Sequence, residues 1–184
     1  MQQAGLSFLS SWQNFYMIIG TALATLTGLM FVVITLIAGI DTHLSTLNAG
    51  ISAFNTPTIV HFCAVLLMAG ILSAPWQVYM SVSLFLGLSG QGMVLYLIIV
   101  IQRIRHVPDN QTPLKDWLSY IVIPLFAYFV LIVAAVALPV NPELVLFIIS
   151  AALVVLLFIG IHNAWDLVTY LAVERSDPEN KSLE

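Results

Sequence analysis

The sequence predicts an all-α fold, a polytopic transmembrane helical bundle. Of the 184 residues, 60% are hydrophobic and only 8% are charged, whereas a soluble domain carries about 25% charged residues. The apolar residues also form long runs, and a helix needs about 20 of them to cross a hydrocarbon core of roughly 30 Å. We expect five spans, at about 15–40, 57–74, 77–102, 117–138 and 143–173.

These spans form a single membrane domain over residues 1–173, and we expect the polar tail at 174–184 to be disordered and cytoplasmic. An alternative has four crossings, with the second and third spans forming a re-entrant hairpin. The chain lacks the basic surface of a nucleic-acid-binding protein. Its one cysteine, Cys63, falls inside an apolar run, so no intrachain disulfide can form.

The first span contains no ionisable residue, and its polar and small residues are regularly spaced. Steps of four and three place one set on a single face of a helix: Thr21, Thr25, Gly28, Val32, Thr35 and Gly39. Small residues let helices approach closely in lipid, so this seam is a packing surface or, alternatively, the lining of a polar path. Trp12 and Tyr16, at the mouth of the span, predict an interfacial aromatic belt.

Local signals mark the other helices. Thr56 followed by Pro57 predicts a helix start, and so does the sequence Asn141-Pro142-Glu143, with a cap, a fixed φ and an acid at the positive helix end. Pro124 predicts a kink in the fourth span. Gln91 lies in the middle of the third span, where its amide needs a partner on another helix or faces a pore.

The basic residues predict the orientation. All five follow the third or the fifth span: Arg103, Arg105, Lys115, Arg175 and Lys181. Because cytoplasmic loops carry the excess of Lys and Arg, both segments are expected inside. The N-terminus is then outside and the C-terminus is cytoplasmic.

Ionisable and polar residues at membrane depth form the candidate functional cluster: His61, His162, Asn163, Asp166 and Tyr170. His162, Asp166 and Tyr170 share one face of the fifth span at steps of four, and the topology places His61 at a comparable depth. The structural interpretation is a satisfied His162–Asp166 pair near the membrane surface. The functional alternatives are a proton-linked pair, a metal site using His61, His162 and Asp166, or haem held between the two histidines.

Two short segments carry a resemblance to known sequences. Residues 26–32, LTGLMFV, and residues 163–166, NAWD, are similar to segments of an uncharacterised family of small bacterial polytopic membrane proteins. The resemblance implies a bacterial origin and a multi-span fold, and we expect the chain in a bacterial inner membrane. It implies no activity and transfers no functional residue.

These observations lead to three hypotheses about function. Catalytic and phosphate-binding motifs are missing, so the first is a non-enzymatic bundle that self-associates, as a channel or transport pore using Thr21, Thr25, Gly28, Thr35 and Gln91. The second is a haem- or metal-binding redox protein using His61 and His162. The third is an accessory subunit of a larger membrane complex. The first requires no cofactor and has membrane lipids and further copies of the chain as partners.

Overall fold

The structure is a computed structural model that describes residues 2–38, 47–105 and 117–176, with side chains over 9–35, 57–102 and 117–169. All regular structure in these ranges is helical, which confirms the predicted all-α class. The elements in chain order are α1 (Gln2–Ala38), α2 (Leu47–Ser73), α3 (Tyr79–Arg105), a π-helical turn (Leu118–Val122), α4 (Ile123–Ala137) and α5 (Pro142–Ser176).

Four helices in the described part of the chain are long and apolar enough to cross a membrane. Their apolar segments are Leu9–Thr35, Tyr79–Gln102, Leu118–Ala137 and Pro142–Thr169. A shorter apolar segment, Pro57–Ser73, lies in α2. The chain is therefore an integral membrane protein built as a polytopic helical bundle. The number of crossings, five or four, stays a prediction.

The helices extend beyond the predicted spans. Helix α2 runs from Leu47 through Pro57, so the predicted helix start at Thr56–Pro57 is wrong. Proline removes one backbone hydrogen bond, which membrane helices tolerate where neighbouring groups replace it. Helix α1 begins at Gln2 and α5 continues to Ser176. Both helices include polar residues beside the apolar run, and hydropathy does not identify these residues as helical. The rest of the predicted tail lies outside the described residues.

The start of α5 is as predicted. Pro142 is its first residue and Glu143 lies in its first turn. The backbone N–H of Leu144 donates to Oδ1 of Asn141 at 3.4 Å, so the Asn141 side chain caps a backbone donor that has no partner within the helix.

Helices α2 and α5 form the middle of the bundle. Helix α1 packs against both from one side; on the other side α3 packs against α2 and α4, and α4 packs against α5. Helices α1 and α2 run antiparallel, because Nε2 of Gln13 donates to the carbonyl of Ser73, the last residue of α2, at 2.9 Å. A short connection reverses the chain again into α3. Helices α1 and α3 therefore run in the same direction on opposite sides of the bundle.

The core is densely apolar, and α5 supplies a row along its centre. The members of this row are fully buried and recur at steps of three and four: Leu146, Ile149, Leu153 and Leu156. Tyr16 of α1 is also fully buried, so the predicted place of this residue in an interfacial belt is wrong. Its ring packs inward because α1 lies against α2 and α5 along this part of its length.

Gly160 of α5 packs directly against the Phe62 side chain of α2. A Cβ atom on Gly160 would overlap Cε1 of Phe62. The Phe62 ring is fully buried, and protein interiors are close-packed, so moving it would disturb its neighbours. The missing side chain of Gly160 thus allows the two central helices to meet.

We expect the substitution Gly160→Ala to destabilise the protein by about 1–3 kcal/mol, because the added methyl group overpacks the contact with Phe62. Thermal unfolding of the purified protein in a mild detergent measures the change.

Gly28→Ala is the matched control. A Cβ atom on Gly28 meets nothing within 4 Å, so this substitution should leave stability unchanged or raise it slightly, since alanine favours the helix more than glycine does. Equal losses of stability in the two variants would contradict the packing argument.

Candidate functional site

His61 of α2 lies in the core, where three helices meet at its imidazole ring. Only 6% of its surface is exposed. Its Nδ1 atom is 2.9 Å from the hydroxyl oxygen of Tyr128 of α4, and the backbone of Leu156 of α5 lies beside the ring. Its Nε2 atom makes no hydrogen bond of good geometry within the described residues. With the proton on Nε2, the Tyr128 hydroxyl donates to Nδ1.

The structure places His61 at the level of Leu156 and not at the level of His162. His162 lies six residues after Leu156 in α5, which is an axial offset of about 9 Å at 1.5 Å per residue. The offset arises because the axial position of α2 is set by packing against α1 and α5, which spacing along the chain does not reveal. The two histidines of the predicted cluster contact different partners at different depths.

His162 pairs with Asp166 on its own helix. The distance from Nε2 of His162 to Oδ2 of Asp166 is 3.3 Å, and the two side chains are 40% and 32% exposed. A pair this accessible on one helix face contributes about 0.3–0.5 kcal/mol. This geometry matches the structural interpretation of the pair. Tyr170 belongs to α5 by its backbone, but its side chain lies outside the described ones.

The described residues contain no group of three or more His, Cys, Asp or Glu side chains placed to hold a metal ion. His61 has one ring nitrogen engaged with Tyr128, and His162 is engaged with Asp166. The haem and metal hypotheses, with His61, His162 and Asp166 as their residues, stay predictions.

Asn163 joins α5 to the start of the fourth span through two reciprocal hydrogen bonds. Its Nδ2 donates to the carbonyl of Ser119 at 3.3 Å, and the Tyr120 hydroxyl donates to the carbonyl of Asn163 at 3.1 Å. The Asn163 side chain is buried, and its Oδ1 makes no hydrogen bond within the described residues. The sequence placed Asn163 beside the His162–Asp166 pair but did not reveal this contact.

The π-helical turn explains why the Ser119 carbonyl accepts from Asn163. The N–H of Ile123 donates to the carbonyl of Leu118, five residues back, instead of four as in an α-helix. The next bond in this register would run from residue 124 to Ser119, but residue 124 is a proline and has no N–H. The Asn163 amide supplies the missing donor. Pro124 predicted a disturbance of the helix, and the disturbance includes this π turn.

A second buried polar contact joins α1 to α5. The hydroxyl oxygens of Tyr16 and Ser150 are 3.1 Å apart, and both residues are buried. Sequence reasoning missed this contact, although a serine within the apolar fifth span was a signal that a polar partner was needed.

The threonine seam lies on the outer surface of the bundle. Thr21, Thr25 and Thr35 are exposed, and each hydroxyl donates to a carbonyl of its own helix at 2.8–2.9 Å. Threonine hydroxyls bonded in this way can face lipid at little cost and still offer oxygen lone pairs to a donor. Thr21 and Thr25 also line an open groove of about 840 Å³ between α1 and α5, with Asn14 at one end and Ile161 on the α5 side.

Gln91 lies on the opposite side of the bundle from the seam. Its side chain is exposed on the outer face of α3, in the middle of the apolar segment Tyr79–Gln102. Gly92 beside it is also exposed and has open space over its Cα. No hydrogen bond to Gln91 forms within the described part of the chain, so its amide has no partner on a neighbouring helix of the same protomer.

Tyr128→Phe should lower the free energy of unfolding by about 1–3 kcal/mol, because it leaves Nδ1 of His61 buried without a partner. In a His61→Leu background the same substitution should have a much smaller effect, since the group that needs the hydroxyl is gone. Chemical or thermal unfolding of the four proteins gives the coupling free energy. Equal effects of Tyr128→Phe in both backgrounds would show that the hydrogen bond contributes nothing.

Asn163→Ala should destabilise the protein by about 1–3 kcal/mol, because the Ser119 carbonyl loses the donor that replaces the missing N–H of residue 124. In a Pro124→Ala background, where residue 124 can donate, the loss should be smaller. Unfolding of the single and double variants in detergent tests this coupling. Additive effects would contradict the role assigned to Asn163.

Comparison of the chain with protein families, with curated proteins and with solved structures gives no match. The resemblance of residues 26–32 and 163–166 to small bacterial membrane proteins therefore stays a prediction. The apolar helices themselves show that the chain is an integral membrane helical protein.

Proposed function

We propose that the chain is the subunit of a membrane homo-oligomer that passes a small hydrophilic solute or ion between its subunits, with no enzymatic chemistry of its own. The observation that carries this proposal is the position of the threonine seam. Thr21, Thr25 and Thr35 face outwards from the protomer. A second subunit is needed to enclose them.

The filled interior of the protomer supports a route between subunits. Buried apolar side chains from every helix form one continuous cluster. The polar contacts inside it occur at separate depths along α5, at Ser150, Leu156 and Asn163. Fully buried apolar residues such as Leu153 lie between them. A hydrated path through this core would require the bundle to open, whereas a path along an outer face would not.

The fold also supports the predicted orientation. Helices α3 and α5 run in the same direction: α3 runs parallel to α1, and Trp12 and Tyr16 of α1 contact Phe147 and Ser150 in the same order along α5. The last turns of α3 and α5, which contain Arg103, Arg105 and Arg175, therefore lie at the same end of the bundle. By the positive-inside rule this end is cytoplasmic and the start of α1 is outside. We propose this orientation in a bacterial inner membrane.

Native mass spectrometry from mild detergent, followed by cysteine labelling in lipid vesicles, tests the proposal. We expect a closed homo-oligomer, and we expect cysteines replacing Thr21, Thr25 and Thr35, in a Cys63→Ala background, to react with a water-soluble thiol reagent. A cysteine replacing Phe126, which is 68% exposed on α4, is the matched control and should stay unreactive because it faces lipid.

Each of the other outcomes is informative. An oligomer with no labelling at the three threonine positions would exclude the solute path. A monomer that co-purifies with a stoichiometric partner would indicate an accessory subunit of a larger complex. A monomer that retains the mass of haem or metal would instead favour the redox hypothesis based on His61 and His162.

A further inference from the structure

The amide of Gln91 is exposed at a depth where lipid tails offer it no hydrogen bond. Twelve residues separate Gln91 from Tyr79 at the start of α3, which places it about 18 Å along the helix axis. That depth is near the middle of a hydrocarbon core of roughly 30 Å. A glutamine side chain there needs hydrogen-bond partners on another helix, and the described residues of its own protomer supply none.

The groove between α1 and α5 offers acceptors that suit this amide. Thr21 and Thr25 lie one turn apart on its wall, and each hydroxyl already donates to its own helix. Their oxygens therefore remain available as acceptors. The Gln91 amide group has two N–H donors, and the groove presents two hydroxyl oxygens. The donors and acceptors complement one another.

The amide lies at the depth of Thr21, and Thr25 lies one helical turn, about 6 Å, further along. Helices α1 and α3 run in the same direction, and the Tyr79 side chain contacts the backbone of Leu9. Counted from these contacting residues, Gln91 and Thr21 are each twelve residues further along, or about 18 Å. Rotation about the membrane normal preserves depth, so symmetry can bring Gln91 of one copy to Thr21 of the next.

We infer that copies of this chain associate head to tail, with α3 of one copy against the rim of the α1–α5 groove of its neighbour and Gln91 donating to Thr21 and Thr25 when no solute occupies the path between the subunits. This inference rests on the proposed self-association. It adds which two surfaces meet and which side chains join them. Because the two surfaces differ, the contact is heterologous, and it closes into a ring when the rotation between successive copies about the membrane normal is a simple fraction of a turn.

Pairwise crosslinking between two differently tagged copies tests the inference. In a Cys63→Ala background, one copy carries Gln91→Cys and the other carries Thr21→Cys, and the membranes are treated with a short bifunctional thiol reagent. We expect a crosslink between positions 91 and 21. Thr35→Cys is the matched control: it is an exposed threonine of the same helix face, but it lies fourteen residues further along, or about 21 Å deeper. It should not crosslink to position 91.

A second measurement tests the contribution of the Gln91 side-chain amide to the association of the subunits. Gln91→Leu keeps an apolar face of similar size and removes the donors, and Gln91 is exposed, so the protomer should still fold. We expect the dissociation constant of the oligomer in detergent to rise about 3- to 30-fold, the range given by interhelical hydrogen bonds in membranes. An unchanged constant would overturn the role of Gln91.

The outcomes separate this inference from the proposed function. Crosslinks between two copies of position 91 without a 91–21 product would indicate a twofold interface and overturn the inference. An oligomer in native mass spectrometry that forms neither product would overturn it too and leave the proposed self-association intact. A monomeric wild-type protein would overturn both.

Discussion

The bundle depends on one constraint: polar groups carried into the hydrocarbon layer must find partners inside the protein. Helix α5 contributes to these contacts at three depths. Ser150 contacts Tyr16 of α1, the backbone of Leu156 lies beside His61 of α2, and Asn163 bonds Ser119 before α4. Because each contact reaches a different element, the polar groups of one central helix fix the axial positions of its neighbours. The apolar row of α5 then fills the space between these contacts.

Much of the fold could be predicted from the sequence because composition and hydrophobic runs decide which segments enter lipid. The helix class, the apolar segments and the capped start of α5 were predicted in this way. Helix boundaries were less predictable, as α2 shows. Its apolar run begins near Pro57, yet the helix begins at Leu47. Hydropathy reports where a helix is apolar, whereas the helix itself ends where its backbone hydrogen bonds end.

The candidate site was predictable only where both partners lie on one helix. The spacing of four residues predicted the His162–Asp166 pair, and it placed Thr21 and Thr25 on one face. His61 with Tyr128, Asn163 with Ser119, and Tyr16 with Ser150 each join two helices. Such pairs depend on helix rotation and axial offset, which arise from packing between whole helices. For the same reason the sequence placed Gln91 in the membrane but did not determine which side of the bundle it faces.

The π-helical turn also changes the direction in which side chains before and after it point around the helix axis. Nine residues separate Ser119 from Tyr128, and in an uninterrupted α-helix this spacing would turn the two side chains about half a revolution apart. A π turn holds one residue more than an α turn, so the angular separation falls to about 80°. Ser119 and Tyr128 can then both face the centre of the bundle. The turn is equivalent to the insertion of one residue into the helix. It allows side chains near both ends of this helix to face the same core.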